Sequence, residues 1–211
     1  MKYALYFIGS IVLFLSCNKQ TIGIDKTNDL VMREEESHSY VYKNKYTVSE
    51  IYFYRGGENP AREVITEKEA QKYIIPSFNV FNLDEVKIDF NKMQLYEIKG
   101  VSKTNKNISI TNDTLYHVEN GKREVSGIVE LDKSRYSYFK TYYYYRFQNE
   151  KIKLENSGSV SEILTQKDAF QKANLSFKNT EYGFNSLADM KNKNDVVCWV
   201  VVSFTLERND P

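Results

Sequence analysis

The residues able to do chemistry are few in this chain. It has two histidines, His38 and His117, and two cysteines, Cys17 and Cys198. The histidines are far apart, and neither belongs to a His-Glu-x-x-His pair or a cysteine cluster that would hold zinc, so a structural or surface role is expected for each. No serine sits in a Gly-x-Ser-x-Gly elbow, and Ser157-Gly158-Ser159 reads as a loop. Gly56-Gly57 is followed by Glu58-Asn59-Pro60; it is a turn, because a phosphate-cradling loop needs a downstream Lys and Ser/Thr. Asp84 and Glu85 are adjacent, and neighbours in a strand point to opposite faces, so they cannot pair as acid and base. Cys198 lies within the apolar run from Val196 to Phe204, where a small thiol is ordinary packing. The expectation is therefore a non-enzymatic protein with no catalytic residues, metal or cofactor, and a hydrolase with groups scattered along the chain is the alternative.

Cys17 stands apart because of what precedes it. Residues 1–16 carry one charge, Lys2, then an apolar run from Tyr3 to Leu15 broken only by Gly9 and Ser10. That run is too short for the ~20 apolar residues a spanning helix needs, and it reads as a signal peptide. Leu13-Phe14-Leu15-Ser16-Cys17 resembles the lipobox of bacterial lipoproteins, in which a small residue precedes a cysteine that is diacylated and becomes the mature N-terminus. Phe14 departs from the family's usual leucine. The resemblance covers the leader only, and it implies a signal peptide at 1–16, lipidation of Cys17 and a membrane-anchored lipoprotein of the cell envelope. An ordinary secretory leader is the other reading. The stretch 17–37, with Glu34-Glu35-Glu36, has the composition of a solvated tether, and 38–211 is expected to be a β-rich domain.

Charge narrows the partners. The chain has 29 basic and 28 acidic side chains, so loss of Lys2 with the leader leaves them equal. Nucleic-acid binding requires a basic face that replaces phosphate counterions, and nothing in this balance or in any dense Lys/Arg block supports it. The membrane would be met through the lipid alone.

What remains is aromatic. Tyr136, Tyr138 and Tyr142, Tyr143, Tyr144 and Tyr145 crowd one segment of a chain with 17 tyrosines. Two readings stand: a binding face for a protein or glycan, since tyrosine buries large area with few torsions lost, or a cross-strand ladder that stiffens a sheet. Alternation along a strand turns part of Tyr142–Tyr145 outward, so exposed tyrosines are expected there.

These residues must be positioned by strands. Tyr40, Tyr42 and Tyr46 share a parity, Val86, Ile88 and Phe90 alternate with polar residues, and Ser137 to Phe147 is a long aromatic run. Asn120-Gly121 between two strand-like segments predicts a type I′ hairpin. Val196 to Phe204 is continuous rather than alternating, which predicts a central strand covered on both faces. Two segments look helical and resemble each other: 63–78 aligns with 162–177, matching Thr66 to Thr165, Lys68 to Lys167 and Ala70 to Ala169. Each threonine can cap the helix after it, with Glu69 or Asp168 reaching back, and Pro76 would end the first. Either the similarity marks a duplicated strand-hairpin-helix-strand unit, with halves 38–111 and 112–211, or two short capped helices simply look alike. The expected fold is α+β: mostly antiparallel sheet with two short amphipathic helices on one side.

Two further resemblances attach to these elements. Leu115 to Lys122 with Val125 to Val129 resembles one hairpin of the second MORN-type repeat family, a scaffold without catalytic residues. The paired Thr-x-Lys-acid-Ala motifs at 66–70 and 165–169 resemble PepSY-type or β-lactamase-inhibitor-like modules, small exported α+β units that bind or inhibit other proteins. The functional expectation is a lipid-anchored envelope protein that binds a partner, with an immunity or inhibitor lipoprotein acting on a toxin or enzyme as an alternative.

Overall fold

The structure, a computed structural model, describes residues 36–74, 81–176 and 184–210. The predicted leader, Cys17, nearly all of the tether, Pro76 and the ends of both aligned helical segments lie outside the described residues. In chain order the elements are β1 (Ser37–Arg55), β2 (Ala61–Glu63), α1 (Glu67–Ala70), β3 (Glu85–Asp89), β4 (Gln94–Lys99), β5 (Ser102–Thr111), β6 (Thr114–Glu119), β7 (Lys122–Val129), β8 (Arg135–Gln148), β9 (Lys153–Val160), α2 (Gln166–Ser176) and β10 (Val196–Arg208).

Every ladder among the described residues is antiparallel, and the sheet bites its own tail. From β1 the pairing runs through β3, β4, β5, β6, β7 and β8 to β10, and β10 returns to β1. Eight strands thus close a barrel, with β2 added to β1 and β9 to β8 outside the ring. The closing strand is paired along both edges, from Tyr40↔Arg208 to Arg55↔Val196 on one side and from Arg135↔Glu207 to Arg146↔Val196 on the other. Tight two-residue turns make the meander possible. Asn120 and Gly121 (φ 50° and 76°) join β6 to β7, and Asn112 and Asp113 (φ 48° and 63°) join β5 to β6; both have the positive φ pair that a type I′ hairpin needs.

This arrangement corrects the α+β expectation. The protein is 58% strand and 9% helix, and an open sheet needs a helical layer only because one face would otherwise stay wet. Closure hides that face inside the ring. An eight-stranded barrel has an interior just wide enough for side chains to fill, and Tyr40, Ile88, Leu95, Leu115, Tyr136 and Leu206 fill this one.

The two helices, alike in sequence, do different work. Thr66 caps α1 as anticipated: its hydroxyl accepts from the Glu69 amide, and its own amide donates to Glu69 Oε2 at 2.8 Å. Thr165 and Asp168 exchange equivalent contacts at the start of α2. Yet Ala70 of α1, with Ile74 beyond it, packs into the barrel interior, whereas Ala169 and Phe170 of α2 cover the outside of the wall over Tyr54, Trp199 and Val201. The strand-strand-helix-strand order does recur, as β1-β2-α1-β3 and β8-β9-α2-β10, but the helices bury against opposite faces of the sheet. A duplicated unit would bury them alike.

The outer cluster explains β10. Val196, Cys198, Val200, Val202, Phe204 and Leu206 point inward, while Val197, Trp199 and Val201 point to the covered outer face. The indole of Trp199 stacks on Tyr52 and Tyr54, with centroids 4.5 and 5.5 Å away and planes within 12°. Cys198 is buried and free; burial pushes its thiol up to about 12, so it is inert packing.

Gly127 sits where β7 meets β8 and has no room for a side chain. A Cβ there would lie 2.1 Å from Ser137 O and 2.5 Å from the Tyr136 ring. Gly127→Ala is expected to destabilise the protein by about 1–3 kcal/mol through overpacking, read as a lower urea midpoint. An unchanged midpoint would mean that β7 can move away from β8 at no cost.

Candidate functional site

Polar groups inside a barrel are the exception that calls for a function, and here they gather along one part of the wall. On β4, Leu95 belongs to the core and Glu97, two residues on, shares its face. Lys106 pairs with Leu95 across β5 and so points the same way. On β8 the inward row reads Tyr136, Tyr138, Lys140, Tyr142 and Tyr144: one lysine set among aromatic rings.

These side chains meet. Glu97 Oε1 accepts from Lys106 Nζ at 2.8 Å and from the Tyr138 hydroxyl at 3.0 Å. Burial, followed by the Glu97 charge, raises the Tyr138 phenol, so it stays a donor. Lys140 is 8% exposed. Its ammonium donates to Asn82 Oδ1 at 2.8 Å and lies 5.7 Å from the centre of the Tyr142 ring. Burial lowers its pKa, the positive charge of Lys99 lowers it further, and Glu97 offsets part of both. Asn82 is held by its neighbour. Phe81 inserts as a plug, stacking on Phe204 at 4.5 Å and meeting Tyr42 and Tyr138 at 4.9 and 5.4 Å.

A second group lies where the wall changes partner. β8 pairs with β7 only at Tyr136–Tyr138 and with β9 from Thr141 onward. Between those stretches β7 diverges, and a cleft of about 230 Å³ opens, lined by Glu124, Glu162, Ile163, Leu164 and Asp168. The β6–β7 ladder shifts register between Leu115 and Tyr116, which leaves Ser126 as the extra residue of a bulge and aims it at His117. His117 Nδ1 lies 2.9 Å from Ser126 Oγ, and its Nε2 lies 3.1 Å from Glu124 Oε2. Glu124 in turn hydrogen-bonds Glu162, whose carboxyl is pushed up first by burial, then by that bond and by the Glu124 charge. Two carboxyl groups in contact cannot both stay ionised cheaply.

No protein-family model matches this chain, and no curated protein or solved structure is significantly similar to it. The site is therefore read from its geometry alone.

Of the residues singled out in the sequence, Tyr138 joins the polar network. Tyr136, Tyr138, Tyr142 and Tyr145 are buried, and Tyr143 and Tyr144 are half-buried. The expected exposed tyrosine face is not there. Alternation does divide these rings, but between two cores: Tyr142 and Tyr144 pack with the interior, Tyr143 and Tyr145 with the outer cluster beneath α2. His117 is buried, with Nδ1 hydrogen-bonded to Ser126 and Nε2 within 3.1 Å of the Glu124 carboxylate. Glu97, Lys140, Glu124 and Glu162 were not anticipated. The signal for Lys140 was available: on the inward parity of β8 it is the charged residue with tyrosines on both sides, at Tyr138 and Tyr142.

Because folding raises the Glu162 carboxyl, the native state holds that proton more tightly than the unfolded chain does. Its share of stability is complete below the ordinary carboxylate range and is lost as pH rises through the raised value. Glu162→Gln keeps a neutral partner for Glu124, so the variant is expected to melt with the wild type at about pH 4 and above it at about pH 7. Parallel melting curves at every pH would show that the two carboxyl groups do not share a proton.

Proposed function

We propose that the chain is a lipid-anchored, non-enzymatic envelope protein whose barrel binds a partner at the polar rim formed by β4, β5 and β8. The support comes from two directions. The Leu13–Cys17 motif argues for an acylated N-terminus, and no helix among the described residues is long and apolar enough to cross a membrane. In the barrel, the observation that carries the reading is that side chains fill the interior, leaving charged groups at a rim and a shallow cleft as the places where another molecule can be recognised. A rigid wall suits that task, since its side chains are already ordered before contact and less entropy is lost on binding.

A hydrolytic reading has one observation in its favour. Ser126, His117 and Glu124 form a hydroxyl-imidazole-carboxylate chain of the kind that activates a nucleophile. Ser126 is, however, only 3% exposed and its hydroxyl faces the His117 ring, which leaves an acyl carbon no approach; the chain holds β6 to β7 across the bulge.

Metabolic labelling with a palmitate analogue tests the anchor. Wild-type protein is expected to take up label and sediment with membranes, and Cys17→Ser to do neither; a labelled or membrane-bound Cys17→Ser protein would overturn the assignment. A fluorophosphonate probe is expected to leave Ser126 unmodified, and its covalent capture there would replace the binding reading with the hydrolytic one.

A further inference from the structure

The positive charges at the barrel rim outnumber the groups that answer them. Lys99, Lys106 and Lys140 come from three strands, β4, β5 and β8, and Glu97 is the carboxylate among them. Glu97 is already committed, since one oxygen accepts from both Lys106 and Tyr138. Asp84, beside the same rim, turns its carboxylate to the Gly100 amide at 2.5 Å. Lys140 therefore keeps a desolvated ammonium whose hydrogen bond goes to a neutral amide oxygen, and it forms no ion pair among the described residues. Glu97 and Tyr138 touch across the barrel at 3.0 Å, and Lys99 and Lys140 stand two residues beyond them on the same parity of β4 and β8, where the charge of Lys99 opposes that of Lys140. A buried cation that faces another cation is costly, and an inward leucine or tyrosine at position 140 would have continued the aromatic row without that cost.

We propose that Lys140 and Lys99, with the Asn82 amide beside them, form a binding site for a small oxyanion, the phosphate or carboxylate group of a ligand that enters over the rim. The site deepens the binding-protein reading and rests on it. One negative group between the two ammonium ions turns their repulsion into two charge-assisted contacts. The Asn82 amide nitrogen, free to donate while its oxygen holds Lys140, can add a third. The Tyr142 ring, its centre 5.7 Å from the Lys140 ammonium, lines one side of the site. The ion pair with Glu97 keeps Lys106 occupied within the protein.

The test is a titration of the full chain, solubilised in mild detergent and carrying 13C-labelled lysine, with inorganic phosphate and separately with acetate, at constant ionic strength made up with chloride. Lys140 and Lys99 signals, assigned by their loss in Lys140→Met and Lys99→Gln, are expected to shift saturably with at least one of the two anions while Lys43, on β1, does not follow. Lys140→Met retains the apolar stem and is expected to lower affinity at least ~10-fold, the cost of one lost charge-assisted contact. Lys99→Gln, at an exposed position that carries no folding risk, is expected to weaken binding in the same direction. Saturation by phosphate alone assigns a phosphate group, and saturation by acetate assigns a carboxylate. Shifts that grow linearly for all lysines, or equal affinity in both variants, would overturn the site. Palmitate labelling decides the anchored-protein reading independently, so a failed titration beside a labelled Cys17 removes the oxyanion site and leaves the anchor standing.

Discussion

The fold depends on the last strand closing the ring. β10 is hydrogen-bonded along both edges, to β1 and to β8, and covered on both faces. Its inward residues, Val200, Val202 and Phe204, belong to one core, and its outward residues, Val197, Trp199 and Val201, to the other. The strand thus contributes to both hydrophobic clusters along most of its length, as its two partners β1 and β8 also do, and it alone joins those partners to each other. Ring closure also removes two sheet edges that would otherwise offer unpaired backbone to other chains. The cost is kinetic. Tyr40 pairs with Arg208, so the first strand of the barrel must wait for the last, and such non-local pairing is slow to form. The hairpins from β3 to β7 join neighbours in sequence and can assemble before it.

How much of this was written in the sequence varies with range. The strands were legible from alternation, the Asn120-Gly121 turn from its demand for positive φ, and the double burial of β10 from its unbroken apolar run. The helix caps were legible too, because a threonine followed three residues later by an acid satisfies backbone groups locally. Closure was not legible. A strand in an open sheet and a strand in a barrel show the same inside-outside period, and only register, which is set by bulges such as the shift between Tyr42 and Lys45, distinguishes them. Hence the two helices were assigned to a missing layer that the barrel does not need.

The tyrosines of β8 failed as a predicted surface for a related reason. Alternation gives the two faces of a strand but not what lies over the second one. Val196–Phe204 signalled two covered faces with aliphatic residues; Tyr142–Tyr145 carried the same message in aromatic ones, where a polar hydroxyl made exposure look affordable. In the structure Tyr138 donates to Glu97 and Tyr144 to Glu155, while the buried Tyr145 hydroxyl has no hydrogen-bond partner among the described residues. His117 and Ser126 were invisible as a pair because their contact depends on a one-residue bulge that no spacing rule marks.

The distribution of polar groups along the barrel is uneven, and that unevenness bears on function. Between Leu95, Leu115, Tyr136 and Leu206 the interior is apolar and close-packed, as stability alone would favour. Toward the rim the same strands place Glu97, Lys106, His117 and Lys140 at inward positions, each at a desolvation cost and each needing a partner. Glu97, Lys106 and His117 have found theirs within the protein. Lys140 has found only a neutral oxygen, and Lys99 opposes it. Stability does not account for a lysine kept under those conditions, since the aromatic row on either side of it shows what packing at that position favours. On the proposed binding reading, a charge retained against packing awaits a counter-charge from outside, and the filled interior leaves the rim as the place where the two would meet.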